Sequence, residues 1–330
     1  MLTLKNRKMT GKISFIVLLV SLVHMGLFTS SFAQEQKKEI TYDVAVTAIS
    51  IAVSVQNRNG RHITDLKKED FFVYENDQKK DITYFSHDYE APLSLTVLLD
   101  VSGSMALQDK LIESKEALDY LLKHLLSDRD EVSLLIFADG EVEVASNFST
   151  DKTHFLSVLE KTEAYGQTAL NDAVGVSPDF ANRGGNEKRA LLLITDGIEN
   201  DSEYSPGQAI EVARRVDIPI YTIGYKIPLD EQFLKEYKRS KGLTASGIVE
   251  SLERFSDATG GKAFFVNKPL DAKNAMRLIK QELSHQYILG YTSHTDPDNE
   301  FRKIKVVTKK KSHRVRTREG YYSGEKKMPR

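Results

Sequence analysis

The sequence predicts an α/β protein in which a doubly wound, mostly parallel sheet is inserted in a small β-sandwich. Between residues 91 and 286, short apolar runs alternate with stretches of helical periodicity, which is typical of buried parallel strands covered by helices on both faces. On either side, residues 34–90 and 287–330 show the alternation of apolar and polar residues typical of strands. Each flank has too few strands for an independent domain, so we expect the two flanks to pair into one sandwich.

The first 33 residues predict a secretory signal peptide. Four basic residues come before any acidic one: Lys5, Arg7, Lys8 and Lys12. An apolar run at 13–29 follows, and Ser31-Phe32-Ala33 then supplies small residues at the positions a signal peptidase reads. We therefore expect an exported protein, periplasmic or secreted. The alternative is an uncleaved anchor, although the run is short for about 30 Å of hydrocarbon, and only then do we expect membrane contact.

The N-terminal flank reads as β-structure. Phe71–Tyr74 and Ile82–Phe85 are apolar and aromatic runs separated by a polar connection, which predicts a hairpin between them. The C-terminal flank predicts three further strands, at 287–292, 304–308 and 313–317. The last of these carries alternating arginines after a lysine run, a pattern that we interpret as a solvated face and not as a polyanion site.

The central segment predicts four buried strands, one edge strand and six helices. The buried strands are expected at 93–99, 132–137, 191–194 and 218–223, and the more polar 141–148 is expected at an edge. The helices are expected at 111–125, 151–164, 168–180, 207–216, 246–258 and 271–286. This alternation is what defines the mostly parallel sheet.

Composition excludes several classes of function. The chain has 330 residues, 46 basic and 47 acidic, and a formal net charge of -1, so nothing indicates nucleic-acid binding. It contains no cysteine, which excludes thiolate zinc sites, iron–sulfur clusters, cysteine nucleophiles and disulfides.

Oxygen-bearing side chains follow two of the predicted strands. The first strand ends in Asp100-Val101-Ser102-Gly103-Ser104, and residues two apart in extended chain project to the same side. Asp196 ends the strand at 191–194. Doubly wound sheets bind ligands at the carboxyl ends of their strands, so we expect the two groups to share one site.

A third hydroxyl is expected from the start of a helix. Thr168 opens the stretch at 168–180, although Gln167 or Asn171 could take its place. Asp172 and Glu199 are near in sequence, but we expect both to be solvated. The predicted ligand set is Asp100, Ser102, Ser104, Thr168 and Asp196. Hard cations prefer such oxygen ligands, so the expected ion is Mg²⁺, with Mn²⁺ or Ca²⁺ as alternatives.

These motifs carry a resemblance. Segment 90–286 resembles a von Willebrand factor type A domain of Rossmann-like topology, and its DVSGS sequence resembles the metal-ion-dependent adhesion site of that family. The resemblance implies that the two serines and Thr168 bind the metal directly, while Asp100 and Asp196 act mainly through water.

The wider chain is similar to a VWFA-related family described from acidobacterial proteins. The matching segments are Lys67–Phe71, Gln286–Tyr291 and Glu319–Tyr322. That resemblance implies export but no particular activity. Residues 227–250 depart from it, because this connection is longer than is usual there and predicts an extra helix or lid.

The site predicts a non-enzymatic binding module of the adhesion type. A protein partner presenting Asp or Glu would complete the coordination of the cation. The alternative is a structural or assembly scaffold whose metal site is filled by a neighbouring subunit, through self-association. A Mg²⁺-dependent hydrolase is less favoured, because an aspartate-nucleophile phosphatase needs an acidic residue two positions after Asp100, where Ser102 stands, and no G-x-S-x-G motif is present.

Overall fold

The computed structural model describes residues 46–227, 244–294 and 300–323. The predicted signal peptide and most of the long connection at 227–250 lie outside the described residues. Within these ranges, no helix is long and apolar enough to cross a membrane. The described residues form one compact unit.

The described residues form strands and helices close to the predicted ones. The strands are β1 (Val46–Gln56), β2 (Phe71–Glu75), β3 (Gln78–Lys80), β4 (Ile82–Ser86), β5 (Leu93–Asp100), β6 (Glu131–Ala138), β7 (Glu141–Ser149), β8 (Lys188–Thr195), β9 (Ile220–Tyr225), β10 (Ala263–Val266), β11 (Tyr287–His294), β12 (Phe301–Thr308), β13 (Arg314–Arg316) and β14 (Gly320–Tyr322). The α-helices are α1 (Lys110–His124), α2 (Lys152–Lys161), α3 (Leu170–Ala181), α4 (Pro206–Ala213), α5 (Ala245–Thr259) and α6 (Pro269–Ser284). Two short 3-10 segments lie at Lys68–Asp70 and Gly103–Asp109.

The central sheet has six strands in the order β10-β9-β8-β5-β6-β7. All neighbours are parallel except β6 and β7, so the predicted mostly parallel sheet is confirmed, with β7 as the edge strand. From β5 the chain moves outward through β6 and β7, then returns to β8 and moves outward the other way. The strand order therefore reverses between β5 and β8, which is where doubly wound sheets place their ligands.

Helices cover both faces of this sheet because its strands are apolar on both sides. Alternate residues of β5 pack to opposite faces: Val97 and Leu99 lie with α1, α2 and α6, whereas Leu98 lies with α3, α4 and α5. Neighbouring β8 divides in the same way, with Leu192 on the first face and Leu193 on the second. Two continuous cores hold the sheet rigid, so the strand ends are fixed relative to one another.

The flanks pair into two four-stranded sheets, ordered β13-β1-β11-β4 and β14-β12-β2-β3. Both sheets combine strands from before and after the central domain, as the sequence predicts. β1 pairs antiparallel with β11, placing Val46 opposite His294, and β2 pairs with β12. Buried residues of the two sheets, among them Val53 and Val306, share one core. The fold class is thereby confirmed.

The predicted hairpin between Phe71–Tyr74 and Ile82–Phe85 is wrong. β2 instead turns back at Asn76 and Asp77, both with positive φ (47° and 63°), and pairs with β3. Two left-handed residues make the tight turn that suits a twisted hairpin. β4 crosses to the other sheet and pairs with β11. Because β3 is short and polar, its sequence gives no strand signal.

The sandwich packs against the amino-terminal edge of the central sheet. Lys188, the first residue of β8, donates hydrogen bonds to the carbonyl oxygens of Asp88 and Ser284, where the chain enters and leaves the central domain. Arg316 donates to Glu282, and Arg318 forms an ion pair with Asp217 at 3.3 Å. The expectation that the arginine-bearing strand is a solvated face is therefore wrong for these two residues. They fasten the sandwich to the inserted domain.

Candidate metal centre

The first part of the candidate site lies where β5 ends. Asp100 is fully buried, and its Oδ1 accepts a hydrogen bond from the backbone N–H of Ser102 at 2.9 Å. The 3-10 segment that begins at Gly103 turns Ser104 back toward Ser102, so that the two Oγ atoms lie 3.2 Å apart. The structure thus brings together the two hydroxyls that the DVSGS sequence was expected to present to one side.

The second part follows β8. Thr195, the last residue of that strand, donates from its hydroxyl to Oδ2 of Asp100 at 2.6 Å, which ties the ends of β5 and β8 together. Asp196 comes next and is fully buried. Its Oδ1 accepts from the backbone N–H of Ile198 at 3.1 Å. Both predicted carboxylates therefore stand at the point where the strand order reverses.

Thr168 is held through its backbone by the loop that follows Asp196. Its N–H donates to Oδ1 of Asn200 at 2.8 Å. Two residues earlier, the carbonyl of Gly166 accepts from the N–H of Gly103 at 3.0 Å, which joins this loop to the serine turn. Asn171 is engaged elsewhere, because its side-chain amide donates to the carbonyl of Tyr204. Of the alternatives that the sequence left open, Thr168 is buried and Gln167 is exposed.

The expectation that Asp172 and Glu199 are solvated is wrong. Glu199 accepts from the N–H of Asn171 at 3.0 Å and from the hydroxyl of Ser202 at 2.7 Å. Asp172 accepts from the backbone N–H groups of residues 203 and 204. Together they fold the loop after Asp196 onto the start of α3, and that loop includes the asparagine that fixes Thr168. Both side chains are structural supports of the site.

Lys110 also belongs to the site, and sequence reasoning missed it. It is the first residue of α1 and is only 2% exposed. Its Nζ donates to Oδ2 of Asp196 at 2.6 Å and to the carbonyl of Ser104 at 3.3 Å. Its local sequence gives no signal for this contact, because the partner carboxylate lies 86 residues away in the chain.

The site is electrostatically negative. Burial, followed by the neighbouring charge of Asp196, raises the pKa of Asp100 above its usual value. A cation beside Asp100 would favour its ionised form and offset this effect.

The donor oxygens fit a hard divalent cation. In an octahedral shell with metal–oxygen distances of about 2.1 Å, adjacent ligands lie roughly 3.0 Å apart, close to the separation of the two serine hydroxyls. Within the described ranges, no three His, Cys, Asp or Glu side chains are placed to hold a metal. A cation here would therefore depend on hydroxyl ligands as well as on Asp100 and Asp196.

The comparisons with known proteins concern this same region. Residues 95–199, from β5 to just beyond Asp196, match the family model described as von Willebrand factor type A domain. An uncharacterized protein of Borreliella burgdorferi is 26% identical over 191 residues, which is 54% of each chain. Calcium-activated chloride channel regulator 1 of Bos taurus is 25% identical over 181 residues, 53% of this chain and 17% of that protein. The chain thus spans about half the length of the first relative and a small part of the second.

Solved structures give similar matches. A von Willebrand factor type A protein from Catenulispora acidiphila has a TM-score of 0.48 and 11% identity, covering 79% of this chain and 74% of that one. The vWF domain of the type V pili tip protein Mfa5 from Porphyromonas gingivalis has a TM-score of 0.46 and 12% identity, covering 58% and 94%. The wider resemblance to the acidobacterial-type family stays a prediction. The inserted α/β domain of this chain is a von Willebrand factor type A domain.

Proposed function

We propose that this chain is an exported protein whose von Willebrand factor type A domain binds a protein partner through a divalent cation, with Mg²⁺ first and Mn²⁺ or Ca²⁺ as alternatives. The proposed ligands are Asp100, Ser102, Ser104, Thr168 and Asp196. The observation that carries the proposal is that two buried carboxylates and two serine hydroxyls lie where the strand order reverses. The two hydroxyl oxygens are 3.2 Å apart.

The chemistry of this ligand set suits an adhesion-type contact. The hydroxyls are neutral, so the two carboxylates only balance the charge of a divalent ion and leave it electrophilic. A carboxylate from an Asp or Glu of the partner would complete the coordination. In this arrangement Ser102, Ser104 and Thr168 contact the ion directly, while the two aspartates act mainly through water.

The surface around the site suits a protein partner. Leu107 and Tyr165 stand on the two loops that the hydrogen bond between Gly103 and Gly166 joins, and these apolar side chains are 40% and 46% exposed. A single carboxylate–metal contact is small, so we expect such neighbouring apolar side chains to supply much of the affinity.

Catalysis is not part of the proposal. Asp100 is the group that would act as a nucleophile in a Mg²⁺-dependent hydrolase, but both of its oxygens accept hydrogen bonds, from Ser102 and Thr195. The residue two positions further on is a serine and cannot serve as the acid–base carboxyl.

The first test is thermal unfolding of the full chain with EDTA and then with Mg²⁺, Mn²⁺ or Ca²⁺. A ligand at about 100 times its Kd stabilises the folded state by about 2.7 kcal/mol. For a chain of 330 residues we expect that to raise the Tm by roughly 4 °C. Ser102→Ala should lose the rise. Ser177→Ala, which removes a buried hydroxyl that donates to the carbonyl of Ala173, should keep it. No rise in the wild-type chain with any of the three ions would refute the metal site.

A second test separates an external partner from self-association. The oligomeric state is measured by size-exclusion chromatography with the stabilising cation and then with EDTA. A monomer in both conditions supports an external partner. An oligomer that EDTA and Ser102→Ala both dissociate would favour the scaffold, in which a neighbouring subunit fills the site.

A further inference from the structure

We propose that Lys110 is a built-in counter-ion of the candidate metal centre. Its ammonium neutralises Asp196 in the absence of a divalent cation and must leave that carboxylate when a cation binds. The inference rests on the proposed function and deepens it, because it names the residue that sets the affinity of the site.

The contacts of Lys110 place its ammonium among the proposed ligands. The Nζ atom lies 2.6 Å from Oδ2 of Asp196 and 3.3 Å from the carbonyl oxygen of Ser104. The two charged side chains are 2% and 0% exposed. A buried ammonium needs such partners, and here it takes them from two of the residues proposed to hold the ion. Lys110 thus occupies Oδ2 of Asp196, while the other oxygen of that carboxylate accepts from the backbone N–H of Ile198.

The backbone before Lys110 is arranged to keep this side chain inside. Gln108 and Asp109 have φ values of 56° and 59°, in the left-handed region that residues other than glycine seldom adopt. Lys226, the residue after β9, fixes this turn, because its Nζ donates to the carbonyl of Gln108 at 2.8 Å and to Oε1 of Glu113 at 2.7 Å. Both the strained turn and the position of Lys110 in the first turn of α1, where the helix dipole opposes a positive charge, are unfavourable. The contact with Asp196 offsets them.

Charge makes the two cations mutually exclusive at Asp196. An ammonium and a divalent ion a few ångströms apart in a buried site repel each other strongly. The flexible four-carbon stem of Lys110 lets its ammonium move, and residues 106–109 just before it are exposed. Two consequences follow. The fold does not depend on a metal, and the affinity for the ion is lower than the oxygen ligands alone would give.

The decisive variant is Lys110→Met, which keeps the length of the side chain and removes its charge. The matched control is Lys115→Met, five residues further along α1, where the ammonium donates to the carbonyl oxygens of Glu160 and Thr162. Mn²⁺ and Mg²⁺ are titrated into each full-length protein by isothermal calorimetry, and the Tm is measured in EDTA. We expect Lys110→Met to bind Mn²⁺ at least about tenfold more tightly than wild type and to have a lower Tm in EDTA. The control should match wild type in affinity.

The outcomes separate this inference from the proposed function. If Lys110→Met binds Mn²⁺ more tightly than wild type, the result supports both the role of Lys110 and the proposed metal site. This holds even where binding by wild type is too weak to measure. Equal affinity in Lys110→Met and wild type overturns the role of Lys110 and leaves the metal site standing. If neither protein gives a measurable heat of binding, the proposed function is refuted, and the inference with it.

A measurement on the wild-type chain decides the matter if Lys110→Met does not fold. Lysines are acetylated with a succinimidyl ester in EDTA and in saturating Mn²⁺, and the rate at Lys110 is read by peptide mass spectrometry. Lys123, 55% exposed near the end of α1, is the internal reference. We expect the rate at Lys110 relative to Lys123 to rise several-fold with Mn²⁺. An unchanged ratio overturns the proposal.

Discussion

Replacing Glu75 by alanine should destabilise the β-sandwich by about 3–5 kcal/mol at pH 7. Glu75 is 4% exposed and lies at the end of β2 between the two sheets. Its carboxylate accepts hydrogen bonds from Tyr291 at 2.9 Å and Ser293 at 2.8 Å in one sheet, and from Tyr321 at 2.7 Å in the other. Arg302 Nη1 lies 3.1 Å away. One side chain therefore links strands from both flanks.

The magnitude follows from what the substitution leaves behind. Each hydrogen bond to a charged group contributes about 1.5–3 kcal/mol, and removing one partner of a buried ion pair typically costs about 3–5 kcal/mol. We take the latter range for the whole network, because Arg302 keeps a hydrogen bond to the hydroxyl of Ser293 at 2.5 Å and water can enter the space. Lys80, whose Nζ lies 3.3 Å from Oε1 of Glu75, adds a second positive charge to the network.

The assay is urea unfolding followed by circular dichroism, with Glu75→Gln and Glu69→Ala alongside. Glu69 is exposed, so its substitution should change the free energy of unfolding by less than about 0.5 kcal/mol. Glu75→Gln keeps the shape but loses the charge and should fall between the two alanine variants. If Glu75→Ala matches Glu69→Ala at pH 7, the network does not stabilise the sandwich.

The same network predicts a dependence on pH. Burial alone would raise the pKa of Glu75, but hydrogen bonds from Tyr321, Ser293 and Tyr291 and the charge of Lys80 outweigh it and hold the pKa below the usual 4.5. A carboxyl whose pKa is lower in the folded state stabilises the fold above its unfolded pKa, and the stabilisation is lost as pH falls through the folded value. The difference between wild type and Glu75→Gln should therefore shrink below about pH 4.5. A constant difference from pH 7 to pH 3 would contradict this reasoning.

Two further predictions concern the inserted domain and its junction with the sandwich. Gly197→Ala should lower the free energy of unfolding by about 2–3 kcal/mol, measured by urea unfolding, because φ is 75° there and a Cβ would lie 2.3 Å from Cγ2 of Ile248. Wild-type stability in this variant would mean that Ile248 of α5 moves aside at little cost in free energy, which contradicts the prediction. For His62, burial and then the positive charges of His285, Arg316 and Lys262 lower the pKa to about 4, so its neutral form is favoured in the fold. The stabilisation is present above the unfolded pKa of 6.5 and is lost as pH falls toward 4. In urea unfolding across this pH range, His62→Gln should therefore lose about 1 kcal/mol less stability than wild type. An identical pH profile in the two proteins would show that His62 does not cause the loss.

Much of the fold could be predicted because buried parallel strands leave a strong signal. Leu93–Leu99 and Leu191–Ile194 are apolar on both faces, and only a sheet covered on both sides buries such runs. The polar strand β3 and the short β10 left no comparable signal. Their pairing depends on a turn and on a neighbouring strand, which local sequence does not specify.

The candidate site was predictable in part for a related reason. Asp100 and the two serines lie within five residues, so local geometry already brings them together. Lys110 looks like any lysine at the start of a helix, and its partner Asp196 is 86 residues away. Arg316 was misread in the same way, because the burial of a long charged side chain is decided by what packs over it. That the five oxygen ligands hold a metal is still a prediction.

The contact of Lys188 with Asp88 and Ser284 has a consequence for how the chain reaches its fold. Strand β1 can pair with β11 only after the intervening domain has been synthesised, and an unstructured loop of that length opposes closure. Once the central domain has folded, one ammonium holds the two ends of the insert together. The loop that remains, from Val53 to Asp88 and from Ser284 to Tyr287, is several times shorter, which lowers the entropic cost of pairing by about 1.5 kcal/mol. The insert should therefore fold first and act as the template on which the two flanks meet, and a chain truncated before β11 would leave β1 as an unpaired strand prone to aggregation.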